Sequence, residues 1–259
     1  MINENLIISG IVRNNANYLP NIFRNIKNIS SLFKNVKCIF VESDSTDNSL
    51  DLLNEFSKVE KNVEIISMGK LQNIMPYRTQ RTSFCRNVYL EKIKELKEEY
   101  SLCLMMDMDD VNSYPIDKKS ILSNFNYSEW DMITANNPDG YYDIWALRHP
   151  QWMPYDCWKA VGNRPSFMSN EEAINIHVRS RIIKIDVNHQ LIEVQSAFSG
   201  MAFVKTNSIK NAKFIGLEND NGNVREVVEW INFCKTLNEG NAKIFINPRF
   251  VTNTPRTFE

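Results

Sequence analysis

The sequence predicts an α/β fold in which a mixed, mostly parallel sheet is flanked by helices in a single domain. Short apolar runs of the kind that form buried strands alternate with segments whose apolar residues recur at helical spacing. Such alternation is typical of βαβ units with right-handed crossovers. The 259 residues, 43% of them hydrophobic, are enough for one large core and too few for two ordinary domains.

The first half of the chain contains four predicted strands with helices between them. The strands, where apolar residues are consecutive and often β-branched, are residues 6–12, 36–41, 63–67 and 101–106. A helix is predicted after each of the first three strands, and the third helix runs from Thr79 to Glu99. Parallel strands connected in this way bind ligands beyond their carboxyl ends.

The second half of the chain is less regular. Strands are predicted at residues 130–136, 141–148, 191–198, 201–205 and 243–247, and a helix at 224–237. A loop rich in Trp and Pro extends to about Ser169, and a loop of this length is suited to cover a substrate. No repeat or low-complexity linker divides the chain, which favours one domain.

Composition argues against several classes of protein. The formal net charge is −1 and the Lys and Arg residues are scattered, so we expect no nucleic-acid partner. The five cysteines are far apart and form no metal-binding pair, so we expect reduced thiols. The first residues lack the features of a signal peptide, and no apolar segment is long enough to span a membrane. A cytoplasmic location is therefore expected.

Three polar clusters directly follow predicted strands. They are Arg13-Asn14, Glu42-Ser43-Asp44 and Asp107-Met108-Asp109-Asp110. Because the carboxyl ends of parallel strands meet at one edge of a sheet, we expect these side chains to lie close together. Their coincidence is the main sequence evidence for a ligand site.

The Asp107-x-Asp109 pair (a DxD motif) carries the strongest chemical signal. Alternation along a strand directs both carboxylates to one side. Two hard oxygen ligands suit Mg²⁺ or Mn²⁺ bridging a diphosphate, where the ion would neutralise charge on a leaving group. An isolated DxD is more often a solvated turn or a helix cap, but its position after the strand at 101–106 favours the metal site.

Two further groups suit a nucleotide. The segment 42–47, from which Glu42 and Ser43 are selected, can supply hydrogen-bond acceptors for a nucleobase edge and a ribose, although its end, Thr46 and Asp47, is better explained as a helix cap. Arg78, Arg81 and Arg86 have the guanidinium group that binds phosphate oxygens in a bidentate manner. At least one of these three arginines is expected to be ordinary surface charge.

The second half carries aromatic and polar residues that can stack on a sugar ring and bind its hydroxyls. The main ones are Tyr142, Asp143, Trp145 and Arg148. An ordinary half-buried β-meander would contain similar residues, so a structural role stays open for them. The three histidines have no Ser or Cys at an informative spacing, and none is assigned to a catalytic triad.

Six segments occur in an order that resembles a known family. They are SGIVRNNANYLP, VESDSTDNS, RTQRTSFCRN, MMDMDDVN, YYDIWALR and VQSAFSGMAFVKT, and the resemblance extends over roughly residues 6–248. In this order they resemble the GT-A glycosyltransferases related to the fungal capsule-associated mannosyltransferases, and they are also similar to chlorovirus-type and bacterial family-2-like relatives. Six ordered motifs are far more specific than any one of them.

The resemblance implies a GT-A fold and transfer of a hexose from a UDP- or GDP-linked sugar to an acceptor hydroxyl of a glycan. Residues 1–112 would form the nucleotide-binding half and 113–259 the sugar- and acceptor-binding half. The implied roles are nucleotide binding for Arg13, Glu42 and Ser43, diphosphate binding for Arg81 and Arg86, ribose and metal binding for Asp107 and Asp109, and sugar or acceptor binding for Tyr142, Trp145, Arg148, Ser199 and Gly200.

One position departs from the family pattern. Relatives often carry a Glu-His pair in the late helix, where the His completes the metal site, but this chain has Glu229-Trp230. An indole cannot ligate a divalent cation, so either Asp109, the diphosphate and water hold the metal, or catalysis depends little on it. Glu229 is available as the general base of an inverting reaction, with Asp143 as the second choice.

Two other classes compete with this interpretation. Sugar nucleotidyltransferases share a similar sheet, but they usually have a Gly-rich basic loop after the first strand, where this chain has one Gly and one Arg. A non-catalytic protein that binds nucleotide sugars or glycans could keep the aromatic residues, and the missing His leaves that alternative open.

Overall fold

The computed structural model describes residues 1–220 and 222–252, so residues 221 and 253–259 of the predicted second half lie outside the described part. The strands are β1 (Ile2–Val12), β2 (Phe33–Glu42), β3 (Val63–Ser67), β4 (Leu102–Met106), β5 (Met132–Asn136), β6 (Ile192–Glu193), β7 (Met201–Lys205), β8 (Leu217–Asp220), β9 (Asn223–Glu226) and β10 (Ile244–Val251). The α-helices are α1 (Leu19–Ser30), α2 (Ser49–Val59), α3 (Arg78–Leu96), α4 (Lys118–Leu122), α5 (Cys157–Gly162), α6 (Asn170–His177) and α7 (Glu229–Asn238).

Eight strands form one mixed sheet in the order β3-β2-β1-β4-β7-β5-β10-β6. Strands β1 to β4 pair in parallel, as do β5 and β10. The predicted α/β class and the mostly parallel sheet are therefore confirmed. Of the predicted strands, 63–67 and 201–205 are confirmed to the residue.

Alternate residues of β1 belong to two hydrophobic cores on opposite faces of the sheet. Ile7 packs in the core that includes residues of α3 and α7, whereas Leu6 and Ile8 pack in the core that includes residues of α1 and α2. All three side chains are fully buried. Covering both faces explains why the parallel strands read as continuous apolar runs rather than as alternating patterns.

Strand β7 lies antiparallel between β4 and β5 and brings the Ser199-Gly200 turn beside the end of β4. The Gly200 carbonyl accepts a hydrogen bond from the Asp107 backbone N–H at 2.9 Å. Gly200 has φ +86°, and a Cβ there would lie 2.5 Å from Val111 Cγ1. Glycine is required because both the conformation and the close approach exclude a side chain.

The predicted strand at 141–148 is wrong. Residues 144–146 form a turn, the rest of 141–147 is irregular, and within the predicted strand only Arg148 makes an isolated bridge, to Ser196. The Asp143 carboxylate accepts a hydrogen bond from the Ala146 N–H at 3.4 Å, so this side chain replaces a strand partner. The apolar residues that suggested a strand are nevertheless buried, including Tyr141, Ile144 and Leu147.

The predicted helix at 224–237 begins five residues later than expected. Its first residues instead form β9, which pairs with β8 in a separate hairpin. Val224, Val227 and Val228 are β-branched, which favours the extended backbone found there.

The predicted strand at 191–198 shortens to β6, and the Trp- and Pro-rich loop contains α5. None of the described helices combines the length and the apolar content that a membrane crossing needs.

Candidate functional site

A pocket of about 390 Å³ lies beyond the carboxyl ends of β1, β2 and β4. Most of the predicted site residues line it: Arg13, Ser43, Arg81, Arg86, Asp107, Asp109, Asp143, Trp145 and Glu229. Five predicted residues are not part of its lining: Glu42, Tyr142, Arg148, Ser199 and Gly200. The polar clusters that follow three separate strands therefore meet at one edge of the sheet.

The two carboxylates after β4 line the pocket, as does Met108 between them, which is 1% exposed and lies against Gly10. Asp109 Oδ1 accepts a hydrogen bond from the Val111 N–H at 3.1 Å and caps the short 3₁₀ turn that follows. Burial raises the pKa of Asp107 to about 6; Arg86 opposes this rise, and Asp143 adds to it. Both acids of the DxD motif therefore lie at the pocket, just beyond the last residue of β4.

Arg86 is a buried cation in the wall of the pocket, with 4% of its surface exposed. Its guanidinium group lies 2.8 Å from Glu229 Oε1 and 3.1 Å from Asp107 Oδ1. The ring of Trp230 packs against it, with 4.9 Å between Cζ and the ring centre. Burial alone would lower the pKa of Arg86, but Tyr89, Glu229 and Asp107 outweigh it and raise the pKa. Arg86 therefore joins helices α3 and α7 to the end of β4.

Replacing Glu229 with Gln is expected to lower the free energy of unfolding by about 2 kcal/mol, because a charged hydrogen bond to the buried Arg86 is lost. Chemical denaturation of the purified variant measures this. The matched control is Glu218→Gln, which removes the charge from an exposed pair with Arg225 and should cost about 1 kcal/mol or less. Equal losses in the two variants would contradict a structural role for the Glu229–Arg86 pair.

Asp44, which was not among the selected site residues, replaces Glu42 at one end of the pocket. Glu42 turns inward, where its carboxylate accepts hydrogen bonds from the Ser45 N–H and the Ser67 hydroxyl. Asp44 lines the pocket, has φ +60°, and holds the Gln72 N–H on Oδ1 at 2.9 Å. Its Oδ2 is buried, 3.7 Å from Arg81 Nε, without a hydrogen-bond donor among the described residues. Asp44 is therefore the acid of this cluster that belongs to the pocket lining, although its side chain is fully buried.

Asp143 lines the pocket and is held in place by backbone N–H groups. Its Oδ2 accepts a hydrogen bond from the Ser199 N–H at 3.1 Å, in addition to the bond from Ala146. Ser199 has φ +58°, an uncommon conformation for a residue with a side chain. The Ser199-Gly200 turn thus acts on the pocket through Asp143 and Asp107 rather than by lining it.

Arg148 faces away from the pocket. Its guanidinium group donates to the carbonyls of Trp145 and Leu147, at 3.0 and 2.7 Å, and lies 3.8 Å from Asp156. Burial lowers the pKa of Arg148, and Asp156 opposes that shift. The structure gives Arg148 a role in holding the 145–156 region, since its partners belong to that region and to α5.

Trp230 occupies the position where the resemblance implies a His. It is 2% exposed, stacks on Phe198 with ring centres 3.8 Å apart, and forms part of the pocket wall. Among residues 1–220 and 222–252, no three His, Cys, Asp or Glu side chains come together as a metal site. The metal role predicted for Asp107 and Asp109 therefore stays a prediction, and a cation bound by these two carboxylates would need further oxygen ligands from a diphosphate or water.

The pocket is rich in charge of both signs. Its lining contains five carboxylates, Asp44, Asp107, Asp109, Asp143 and Glu229, and four guanidinium groups, Arg13, Arg78, Arg81 and Arg86. The lining thus carries one more negative than positive charge. An anionic ligand would need a cation to accompany it, because burying like charges together is unfavourable.

Comparison with known proteins shows similarity at the level of structure. No protein-family model and no curated protein sequence matches the chain. Residues 1–349 of S. aureus TarS, in complex with UDP-GlcNAc, superimpose with a TM-score of 0.53 and 12% identity over 98% of this chain and 60% of that chain. The fold is the GT-A fold.

A second solved structure with this fold is the mannosyltransferase PcManGT from Pyrobaculum calidifontis, in complex with GDP-Man and Mn²⁺. It gives a TM-score of 0.50 and 9% identity over 97% of this chain and 56% of that chain. The chain therefore spans less than two thirds of the length of either structure. At such low identity the similarity concerns the fold, and the specific relation to the fungal capsule and chlorovirus enzymes stays a prediction.

Proposed function

We propose that the protein is a glycosyltransferase that moves a hexose from a UDP- or GDP-linked sugar to a hydroxyl group of a glycan acceptor. The observation that carries this proposal is the meeting of Asp107, Asp109 and Asp143 with four arginines in one pocket at the carboxyl edge of a GT-A sheet. Binding beyond that edge is general for open α/β sheets. Two solved structures of this fold contain UDP-GlcNAc or GDP-Man, which supports a nucleotide-sugar donor.

The end of the pocket near Asp44 suits the nucleotide. The buried Asp44 Oδ2 can accept a hydrogen bond from a ring N–H of uracil or guanine, and Arg13 and Ser43 lie in the same lining. Asp44 Oδ2 is ion-paired with Arg81 at 3.7 Å but lacks a hydrogen-bond donor, and a buried acceptor in this state favours a ligand that donates to it. The donor's nucleotide is therefore assigned to this end, with its diphosphate extending to the DxD motif.

Asp107 and Asp109 would hold a Mn²⁺ or Mg²⁺ ion together with the donor's diphosphate. Two carboxylates are the hard oxygen ligands that these ions prefer, and the excess negative charge of the lining calls for a cation. When bound, the ion would supply charge neutralisation at the leaving diphosphate. Trp230 contributes no ligand and closes the pocket beside Arg86.

Asp143 is assigned the role of general base, ahead of Glu229. The acceptor hydroxyl would give its proton to the Asp143 carboxylate while its oxygen bonds to the anomeric carbon and the bond from that carbon to the diphosphate breaks. Glu229 is less suited, because the buried guanidinium group of Arg86 holds its Oε1 at 2.8 Å, whereas Asp143 accepts longer bonds from backbone N–H groups, at 3.1 and 3.4 Å. Trp145 lines the pocket and can stack on a sugar ring. The Ser199 N–H holds Asp143, and the Tyr142 hydroxyl lies close to Gly200.

Thermal unfolding with nucleotide sugars tests the proposed function. At a concentration 100 times Kd, a donor that matches the pocket should raise the Tm by about 5–10 °C. UDP- and GDP-linked hexoses with Mn²⁺ are compared with CDP-linked sugars and with Mn²⁺ alone, and a positive donor is then assayed for sugar transfer. Absence of a shift with every UDP- and GDP-linked sugar would contradict the proposal, and a shift without transfer would favour a non-catalytic binding protein.

A further inference from the structure

Three of the four arginines in the pocket already bind other residues of the chain. Arg86 is held by Glu229 and Asp107, as described above. Arg81 donates to the carbonyls of Met75 and Pro76, at 2.6 and 2.9 Å, in addition to its ion pair with Asp44. Arg13 donates to Gln72 Oε1 at 3.3 Å. A ligand that binds these groups must share or displace partners that are already present.

Arg78 differs from the other three. It is the first residue of α3, it is exposed, and it lines the pocket. Within residues 1–220 and 222–252 its guanidinium group has no ion pair or hydrogen bond. Its five N–H donors are therefore available to a ligand without loss of an existing contact.

The position of Arg78 is electrostatically unfavourable in the absence of a ligand. A cation in the first turn of a helix lies at the positive end of the helix dipole. No acidic residue occurs in the first turn of α3, and the Thr79 N–H is instead capped by Glu226 Oε2 at 2.8 Å. An anion bound by Arg78 would relieve this repulsion, whereas the free protein gains no stability from the side chain.

Helix α3 directs one stripe of side chains to the pocket, namely Arg78, Arg81, Thr82, Cys85 and Arg86. Since the rise is 1.5 Å per residue, Arg78 stands about 12 Å along the axis from Arg86, at the end of α3 that is nearer to solvent. Arg86 lies beside Asp107, inside the protein. Arg78 is thus placed to reach a ligand that extends from the DxD motif towards the mouth of the pocket.

We propose that Arg78, rather than Arg81 or Arg86, is the arginine that binds the diphosphate of the donor. This inference rests on the proposed function, because it requires a nucleotide-diphosphate sugar in the pocket. Arg81 and Arg86 then serve to position Asp44, Asp107 and Glu229. Replacing Arg78 is therefore expected to weaken phosphate binding without lowering the stability of the protein.

Calorimetric titration of the full chain with UDP, GDP, uridine and guanosine in the presence of Mg²⁺ tests the proposal. Arg78→Ala should weaken binding of the nucleoside diphosphate by about tenfold or more, with binding of the matching nucleoside unchanged. Arg78→Lys should recover part of the loss, because it keeps the charge and loses the bidentate geometry. The Tm of the free Arg78→Ala protein should equal or exceed that of the unmodified protein.

Arg249→Ala is the matched control, because Arg249 is an exposed arginine on β10 outside the pocket. The nucleotide affinity of this variant should equal that of the unmodified protein. Unaltered binding of UDP and GDP by Arg78→Ala would overturn the assignment while leaving the proposed function intact. An effect confined to the KM of the acceptor would also overturn it. If the unmodified protein binds neither nucleoside diphosphate, the proposed function and the assignment of Arg78 fail together.

Discussion

Asp143→Asn is expected to lower kcat by about 10²–10⁴-fold, which is the range that a positioned general base contributes. The asparagine side chain has the same size and keeps one oxygen acceptor, but it cannot take the acceptor's proton. Donor affinity should change little, because Asp143 is assigned to the acceptor side of the pocket. Steady-state kinetics with saturating donor, together with titration of the nucleotide, separates the two effects.

Asp143→Asn is also expected to affect the stability of the protein. Asp143 accepts hydrogen bonds from the Ser199 and Ala146 N–H groups, and an amide can replace only one of these acceptors. A loss of about 1 kcal/mol of stability is therefore expected and must be measured alongside the kinetics. Asp139→Asn is the control, since Asp139 is exposed, lies outside the pocket lining, and undergoes the same chemical change. A fall in donor affinity as large as the fall in kcat would assign Asp143 a structural role instead.

Elements of the fold that depend on a short local pattern of apolar and polar residues are predicted well from the sequence. Strands β3 and β7 are predicted to the residue because each is a short run of consecutive or nearly consecutive apolar residues with polar residues at both ends. The position of the DxD motif directly after β4 then follows from chain direction alone. The meeting of Arg13, Asp109 and Asp143 in one pocket follows from parallel topology and from the insertion of β7.

The sequence fails where side chains replace backbone partners. Residues 141–148 have the apolar content of a strand, but the Asp143 carboxylate captures the Ala146 N–H and turns the chain. Residues 224–228 continue the apolar spacing of α7, but they are extended, and the capping contact from Glu226 to Thr79 links residues that are 147 positions apart. No local pattern contains such a contact, so tertiary structure decides the conformation.

The direction of individual side chains could not be predicted either. Glu42 ends β2 and points to Ser67 on β3, whereas Asp44, two residues later, reaches the pocket because its backbone has positive φ. Whether an arginine of α3 is paired within the protein or available to a ligand depends on which carboxylates lie nearby in space, and the sequence does not contain that information. A usable signal did exist for Asp44, since Asp is one of the few residues with a side chain that tolerate this conformation.

Asp109→Asn is expected to reduce metal-stimulated sugar transfer by about 10³-fold, because several kcal/mol of transition-state stabilisation depend on a cation at the diphosphate. The fold should persist. Asp109 caps the 3₁₀ turn through Oδ1, which accepts the Val111 N–H, and the amide oxygen of Asn can make the same bond. The measurement is the transfer rate as a function of Mn²⁺ concentration, with thermal unfolding as the check on folding.

Asp110→Asn provides the control for Asp109, since it makes the same change one residue later, at a side chain outside the pocket lining. If Asp109 holds the cation, only Asp109→Asn should require more Mn²⁺ for half-maximal activity. An unchanged rate and an unchanged Mn²⁺ dependence in Asp109→Asn would remove the metal role from this carboxylate. The pocket arginines would then have to balance the charge of the diphosphate. Because Arg13, Arg81 and Arg86 already have partners, most of this role would go to Arg78, and sugar transfer should depend strongly on that residue.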